Sequence, residues 1–299
     1  MADLRAVPES IEAAHAELSE IAAELARRSL LTFTTYTKSD YEVNWHNVLV
    51  ASRLDQVITR KIRRLMIFMP PQNGKSTLVS RHFPSYTFGK APDTKIIACS
   101  YNMSLAQDMS RDVQKIMSMR EYRTLFPDTK LAEARFEHDP ATGRRTHSEK
   151  RTQGQFDIVN RKGSYTAAGI DGPITGKTAE IGIIDDPVKN RAEAESEVYR
   201  DRVWEWYKSA FATRQFGDNA AIIICLTRWH EDDLAGRLLA LSRDNSDADQ
   251  WDVLSIPAIA EAIQVYDPRA VGEALWPAKY PLVELAKRRA MAKASSLLT

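Results

Sequence analysis

Cysteine is nearly absent: the 299 residues hold two, Cys99 and Cys225. Two thiols cannot build a disulfide framework, and both lie inside apolar runs, so buried reduced side chains are expected. The six histidines are scattered and no Cys/His cluster has zinc spacing. The longest apolar stretches, such as 221–226, fall far below the roughly 18–20 residues a membrane span needs. The N-terminus carries acidic residues and no long apolar core, so it does not read as a signal peptide. The chain is therefore expected in the cytoplasm, with no membrane partner. Glycine (12) and proline (13) are too few for a fibrous or low-complexity protein. An excess of one charge is missing too: 41 basic and 40 acidic residues leave a formal +1. Any contact with nucleic acid then has to come from a local patch. What is there is 43% hydrophobic and 27% charged residues, the composition of a packed core. The length suits one large domain or two small ones.

Apolar periodicity divides the chain into alternating helices and strands. Residues 9–29 read as an amphipathic helix, with Ile11, Leu18, Ile21 and Leu25 at spacings of three, four and seven, and 46–59 read as a second. The basic cluster Arg60-Lys61-Ile62-Arg63-Arg64 leads into Leu65-Met66-Ile67-Phe68-Met69, a run suited to a strand buried on both faces. Similar runs occupy 94–99, 180–184, 221–227 and 251–256, with helical patterns at 75–88, 103–119, 192–212 and 232–242. Such alternation implies an α/β fold with a mostly parallel sheet and helices on both faces. The polar stretch 120–178 breaks the rhythm and reads as a large insertion with short strands. It carries Arg144, Arg145, Lys150, Arg151, Arg161 and Lys162, charges that suit either a solvated loop or a DNA-facing patch. Residues 1–39, an N-terminal helical segment, and 261–299, a C-terminal linker, flank a core at 40–260.

Three stretches carry chemistry. The first, Met69-Pro70-Pro71-Gln72-Asn73-Gly74-Lys75-Ser76-Thr77, keeps the G-K-S of a phosphate loop between strand and helix, with Met69 where the first glycine belongs. Gly74 lets backbone N–H groups approach phosphate oxygens, Lys75 neutralises β/γ charge, and the Ser76 hydroxyl suits Mg²⁺. Thr77 begins the helix or backs up the metal position. The second stretch, Ile181-Gly182-Ile183-Ile184-Asp185-Asp186, ends an apolar strand in two carboxylates. Asp185 fits a Mg²⁺-shell role and Asp186 a water-activating one; a helix cap is the plainer use of an aspartate there. The third places Thr227 and Arg228 just beyond a strand's carboxyl end, where ligands bind in open α/β sheets and a γ-phosphate is within reach. Packing suffices for Trp229, a solvated turn for His230, and helix N-terminal charge for Asp232 and Asp233.

Together these stretches resemble the ATPase domain of a tailed-phage terminase large subunit, the DNA-packaging motor. The resemblance rests on the residue 69–76 loop, on Ile183 to Asn190, and on Thr227-Arg228-Trp229-His230 through Leu238. Trp45-His46, Gly172 to Lys177 and Leu275-Trp276-Pro277 support it, so that it spans about residues 40–285. It implies a three-layer P-loop NTPase of the additional-strand type. ATP phosphates would then lie at Gln72, Asn73, Gly74, Lys75, Ser76 and Thr77, with Mg²⁺ near Ser76 and Asp185. Asp186 becomes the water-activating carboxylate, and Thr227 part of the motif coupling hydrolysis to movement. The implied partners are double-stranded DNA, a portal protein, a small terminase subunit and further copies in a ring, in the host cytoplasm. Trp45 and His46 fall where the family approaches the adenine, or simply pack in the core.

The chain departs from the family in two ways. Many relatives carry an arginine inside the phosphate loop, whereas this chain has Gln72 and Asn73. A transition-state arginine is then expected from elsewhere or from a neighbouring subunit, with Arg161, Arg214 and Arg228 as candidates. The second departure is length: with the chain reaching only Thr299, no nuclease activity is expected from it. Two other readings stay open, a helicase- or repair-like P-loop ATPase and a non-hydrolysing nucleotide-binding assembly module.

Overall fold

The computed structural model describes residues 6–132 and 150–296; Arg144 and Arg145 of the basic stretch lie outside them. Three helices come first, α1 (Ala6–Arg28), α2 (Leu30–Thr37) and α3 (Trp45–Ile58), ahead of β1 (Arg64–Phe68). The phosphate-loop stretch runs into a π-helical turn at Thr77–His82 and then α4 (Phe83–Lys90), β2 (Lys95–Ser100), α5 (Met103–Ser118) and α6 (Arg120–Leu125). Next come β3 (Gln155–Asp157), β4 (Ser164–Gly169), β5 (Ile181–Asp185), α7 (Arg191–Glu195) and α8 (Glu197–Trp206). The chain continues through β6 (Ala221–Leu226), α9 (Leu234–Asp244), β7 (Asp252–Ser255) and α10 (Leu282–Ser296).

The strands form one seven-stranded sheet in the order β3-β4-β2-β5-β6-β1-β7. Every neighbouring pair is parallel except β3 with β4. Strand alternation explains why the runs are continuously apolar: Leu65 and Ile67 face one side of the sheet, Met66 and Phe68 the other. Ile223 and Cys225 likewise oppose Ile222 and Ile224. Residues from α1 to α6 cover the first face; Val203 and Trp206 of α8 and Leu234 and Leu238 of α9 cover the second. The three-layer α/β expectation is met.

Cys99 and Cys225 are buried free thiols, as expected. Among the described residues, no helix is long and apolar enough to cross a membrane. The α1 helix forms where periodicity places it, but it buries the opposite face: Ala23 and Ala26 pack inward while Leu18, 65% exposed, and Ile21 and Leu25 face out. Within the stretch 120–178, β4 pairs with β2 over its whole length, Lys95↔Ser164 to Ser100↔Gly169, and so stands inside the main sheet.

Candidate functional site

Register aligns the carboxyl ends of β1, β6 and β5, pairing Phe68 with Leu226 and Cys225 with Asp185. Whatever follows these strands is therefore brought to one place. The loop after β1 is pinned to the end of β6: Met69 N–H donates to Leu226 O (3.3 Å), and Thr227 Oγ1 donates to Met69 O (3.2 Å). Gly74 has φ +87°, a backbone conformation that favours glycine, and a Cβ there would press on Asn47 Nδ2 at 3.3 Å. Gln72 also sits in the left-handed region, at φ +63°; for a non-glycine residue this costs about 1–3 kcal/mol. Buried Asn73 holds the turn, donating from Nδ2 to Pro71 O at 2.9 Å.

The helix leaving the loop is locally wide: Phe83 N–H donates to Leu78 O, five residues back, a π-turn of the kind that recurs at functional sites. It aims Ser80 at β5, where Ser80 Oγ donates to Asp185 Oδ2 at 2.6 Å. Asp185 is fully buried and its Oδ1 has no hydrogen-bond partner. Burial, reinforced by the adjacent Asp186 charge, raises its carboxyl above the usual range, against the pull of Lys75, Ser80 and Ser76.

Lys75 is 5% exposed and forms an ion pair with Asp186 Oδ2. Burial alone would lower its ammonium; Cys225, Asp186 and Asp185 around it outweigh burial and hold the group above its ordinary value. Asp186 leaves the strand at φ +46°, which turns its side chain toward the loop, and Oδ1 accepts from Thr227 N–H at 2.9 Å. The two aspartates thus face different partners, one the hydroxyls of the helix, the other Lys75 and the end of β6. A cation could bind the unpartnered Asp185 oxygen together with serine hydroxyls and phosphate, the mixed donor set Mg²⁺ prefers. Among the described residues, no cluster of three or more His, Cys, Asp or Glu forms a metal cage.

On the far side of the loop is a cavity of about 460 Å³. Its walls include Gln72, Gly74 and Thr77 from the loop, Tyr41 and Asn47 from the α2–α3 side, and Trp276 and Lys279. Beneath it His46 is buried, its Nε2 donating to Asn73 O at 3.1 Å, with the Trp276 ring 5.4 Å away. Burial lowers the His46 imidazole to about 4, so it is neutral at pH 7. Trp45 lies under the Arg269 guanidinium, 5.3 Å from its ring centre.

Lys75, Ser76, Asp185, Asp186 and Thr227 therefore converge, with Gln72, Asn73, Gly74 and Thr77 framing the loop. Arg228 does not join them: its Nε donates to Asp233 Oδ2 at 2.7 Å, and its guanidinium covers the Phe68 ring. Asp233 caps α9, and Asp232 pairs with Arg200 and Arg237. His230 accepts from Asp232 N–H within its turn. Trp229 is 43% exposed rather than packed. Arg161 precedes β4 and Arg214 precedes β6, beside the start of β5, which in a parallel sheet puts both at the end opposite the loop. Sequence reasoning missed Ser80, Asn47, Lys279 and Tyr280; for the last two, the neighbouring Leu275-Trp276-Pro277 was the available signal.

A strand inserted between the phosphate-loop strand and the acidic strand, here β6 between β1 and β5, defines a P-loop NTPase fold of the additional-strand type. Residues 66–290 match the family described as terminase large subunit, T4-like-virus type, N-terminal. The chain belongs to that family. Among solved structures it is similar to the large terminase of bacteriophage HK97, with 14% identity over 70% of this chain and 38% of that one, TM-score 0.44. It is also similar to the large terminase of a thermophilic bacteriophage in complex with ADP, with 11% identity over 69% of this chain and 44% of that one, TM-score 0.39. The chain spans less than half the length of these structures. No curated protein matches it.

Proposed function

We propose that this chain is the ATP-hydrolysing motor domain of a phage terminase large subunit, acting in the host cytoplasm and coupling hydrolysis to movement of double-stranded DNA into procapsids. One observation carries the reading: the phosphate-loop lysine, the buried Asp185 with its unpartnered oxygen, and Asp186 meet at the ends of three adjacent strands. In that reading the 72–77 backbone and Lys75 take the phosphates, and the 460 Å³ cavity takes the nucleoside end. Ser76 and Asp185 would hold Mg²⁺, which when bound neutralises charge on the β- and γ-phosphates. Asp186 orients and deprotonates the attacking water once a phosphate draws Lys75 away. Thr227 touches Asp186 through its N–H and the loop through its hydroxyl, so loss of the γ-phosphate is felt at the end of β6.

Arg228 engaged by Asp233, and Arg161 and Arg214 at the opposite sheet end, support a transition-state arginine supplied by a neighbouring subunit in a ring. Portal protein and small terminase subunit are the further partners of such a motor. The test is steady-state phosphate release with Mg²⁺, at protein concentrations that permit assembly. Lys75→Ala and Asp186→Ala are each expected to lower turnover more than about 100-fold. Wild-type turnover in both would overturn the assignment.

A further inference from the structure

We propose that Lys279 and Tyr280 are positioning residues that hold the phosphate loop in its phosphate-accepting shape by gripping Gln72; this rests on the nucleotide-binding reading above. Gln72 is the loop's non-glycine residue in the left-handed region, so its conformation has to be imposed from outside the loop. The grip comes from the far end of the chain. Lys279 Nζ donates to Gln72 O at 2.8 Å, and Tyr280 OH donates to Gln72 Oε1 at 2.7 Å. One bond fixes the backbone and the other the side chain, and together they set both ends of the residue.

The gripping segment is itself anchored. Leu275 N–H donates to Ala258 O (2.8 Å), and Asn44 Nδ2 donates to Leu275 O (3.4 Å). Lys279 lies over the Trp276 ring at 4.8 Å, and that ring packs on His46, which holds Asn73 O. Gln72 is thus held by this strap directly, and Asn73 by His46 of α3, against which the strap's Trp276 packs. The Arg288 guanidinium of α10 stacks 4.7 Å from the Tyr280 ring, so the strap also joins the loop to the helix that follows it. Displacement of α10 would then loosen the loop and lower nucleotide affinity without touching Lys75 or the aspartates.

The test is calorimetric titration of the full chain with ADP. Tyr280→Phe, which removes one oxygen atom, is expected to weaken ADP binding roughly three- to tenfold, and Lys279→Met about tenfold or more. If both act through Gln72, adding Gln72→Leu to Tyr280→Phe costs less than about a further twofold, since the bond is already gone. Full affinity in Tyr280→Phe, or losses that multiply in the double variant, overturns the inference. Should Lys279→Met fail to fold, the Tyr280–Gln72 pair decides alone. Binding that Lys75→Ala abolishes while the strap variants leave it intact rejects only the strap; a wild-type chain that binds no ADP rejects the nucleotide site as well.

Discussion

The two ends of the central sheet are built differently. At the carboxyl ends of β1, β5 and β6, Gln72 and Asp186 sit at positive φ, Asp185 is buried with a free oxygen, and Lys75 is buried against carboxylates. At the opposite end, charges meet partners near the surface: Arg64 pairs with Asp249 (2.7 Å), Arg53 with Asp252 (3.4 Å), and Arg63 donates to Asp218 O (2.7 Å). There every charge named is partnered and open to solvent in part. Positive φ and unpartnered polar atoms occur there too, at Arg60 (φ +61°, Nη1) and at the Gln215 amide; what sets the carboxyl end apart is a buried carboxylate beside a buried lysine, charges held out of water.

The comparison is sharpest at Asp185. Asp185→Asn is expected to abolish Mg²⁺-dependent hydrolysis and yet stabilise the nucleotide-free chain by about 1 kcal/mol, because a buried charge is removed. A scanning-calorimetry melting temperature that falls instead would mean that the carboxylate is already satisfied. Acid should reach the same end of the molecule. His46 and His82 are both lowered to about 4 by burial, so the unfolded chain takes up protons first as pH drops below 6.5. Stability is thus complete above pH 6.5 and falls toward pH 4, by up to about 3 kcal/mol for each histidine. Asp55, raised to about 6 by burial, works in the other direction and offsets part of the loss. Denaturant midpoints at pH 7 and pH 5 check the sign, and His46→Gln should flatten the difference. The smallest effect belongs to the opposite end: replacing the exposed arginine there, Arg63→Ala, is expected to cost under about 1 kcal/mol in a urea melt and leave ATP turnover unchanged. A large activity loss there would erase the distinction between the two ends.

Much of this was legible in the sequence, for physical reasons. β1, β5 and β6 announce themselves because strands buried on both faces must be continuously apolar, and the loop and the twin aspartates because phosphate and metal chemistry tolerates few residue types. β4 did not, since Ser164-Tyr165-Thr166-Ala167-Ala168-Gly169 lacks the continuous run of large aliphatic residues that marks its neighbours, its one large buried side chain being Tyr165. Periodicity placed α1 but not its buried face, because the alanines at 23 and 26 let the helix approach closely while larger side chains stay outside. The grip of Lys279 and Tyr280 on Gln72 joins residues more than 200 positions apart, and Ser80 reaches Asp185 only through a π-turn; neither leaves a local trace.

The most direct measurement is ATP affinity with Mg²⁺ and with EDTA, for the wild type, Lys75→Ala and Asp185→Asn. Convergence of these residues on one metal-bound triphosphate predicts binding that Mg²⁺ strengthens in the wild type, that Lys75→Ala largely removes, and that no longer responds to Mg²⁺ in Asp185→Asn. An Asp185→Asn chain with an undiminished Mg²⁺ response would contradict it.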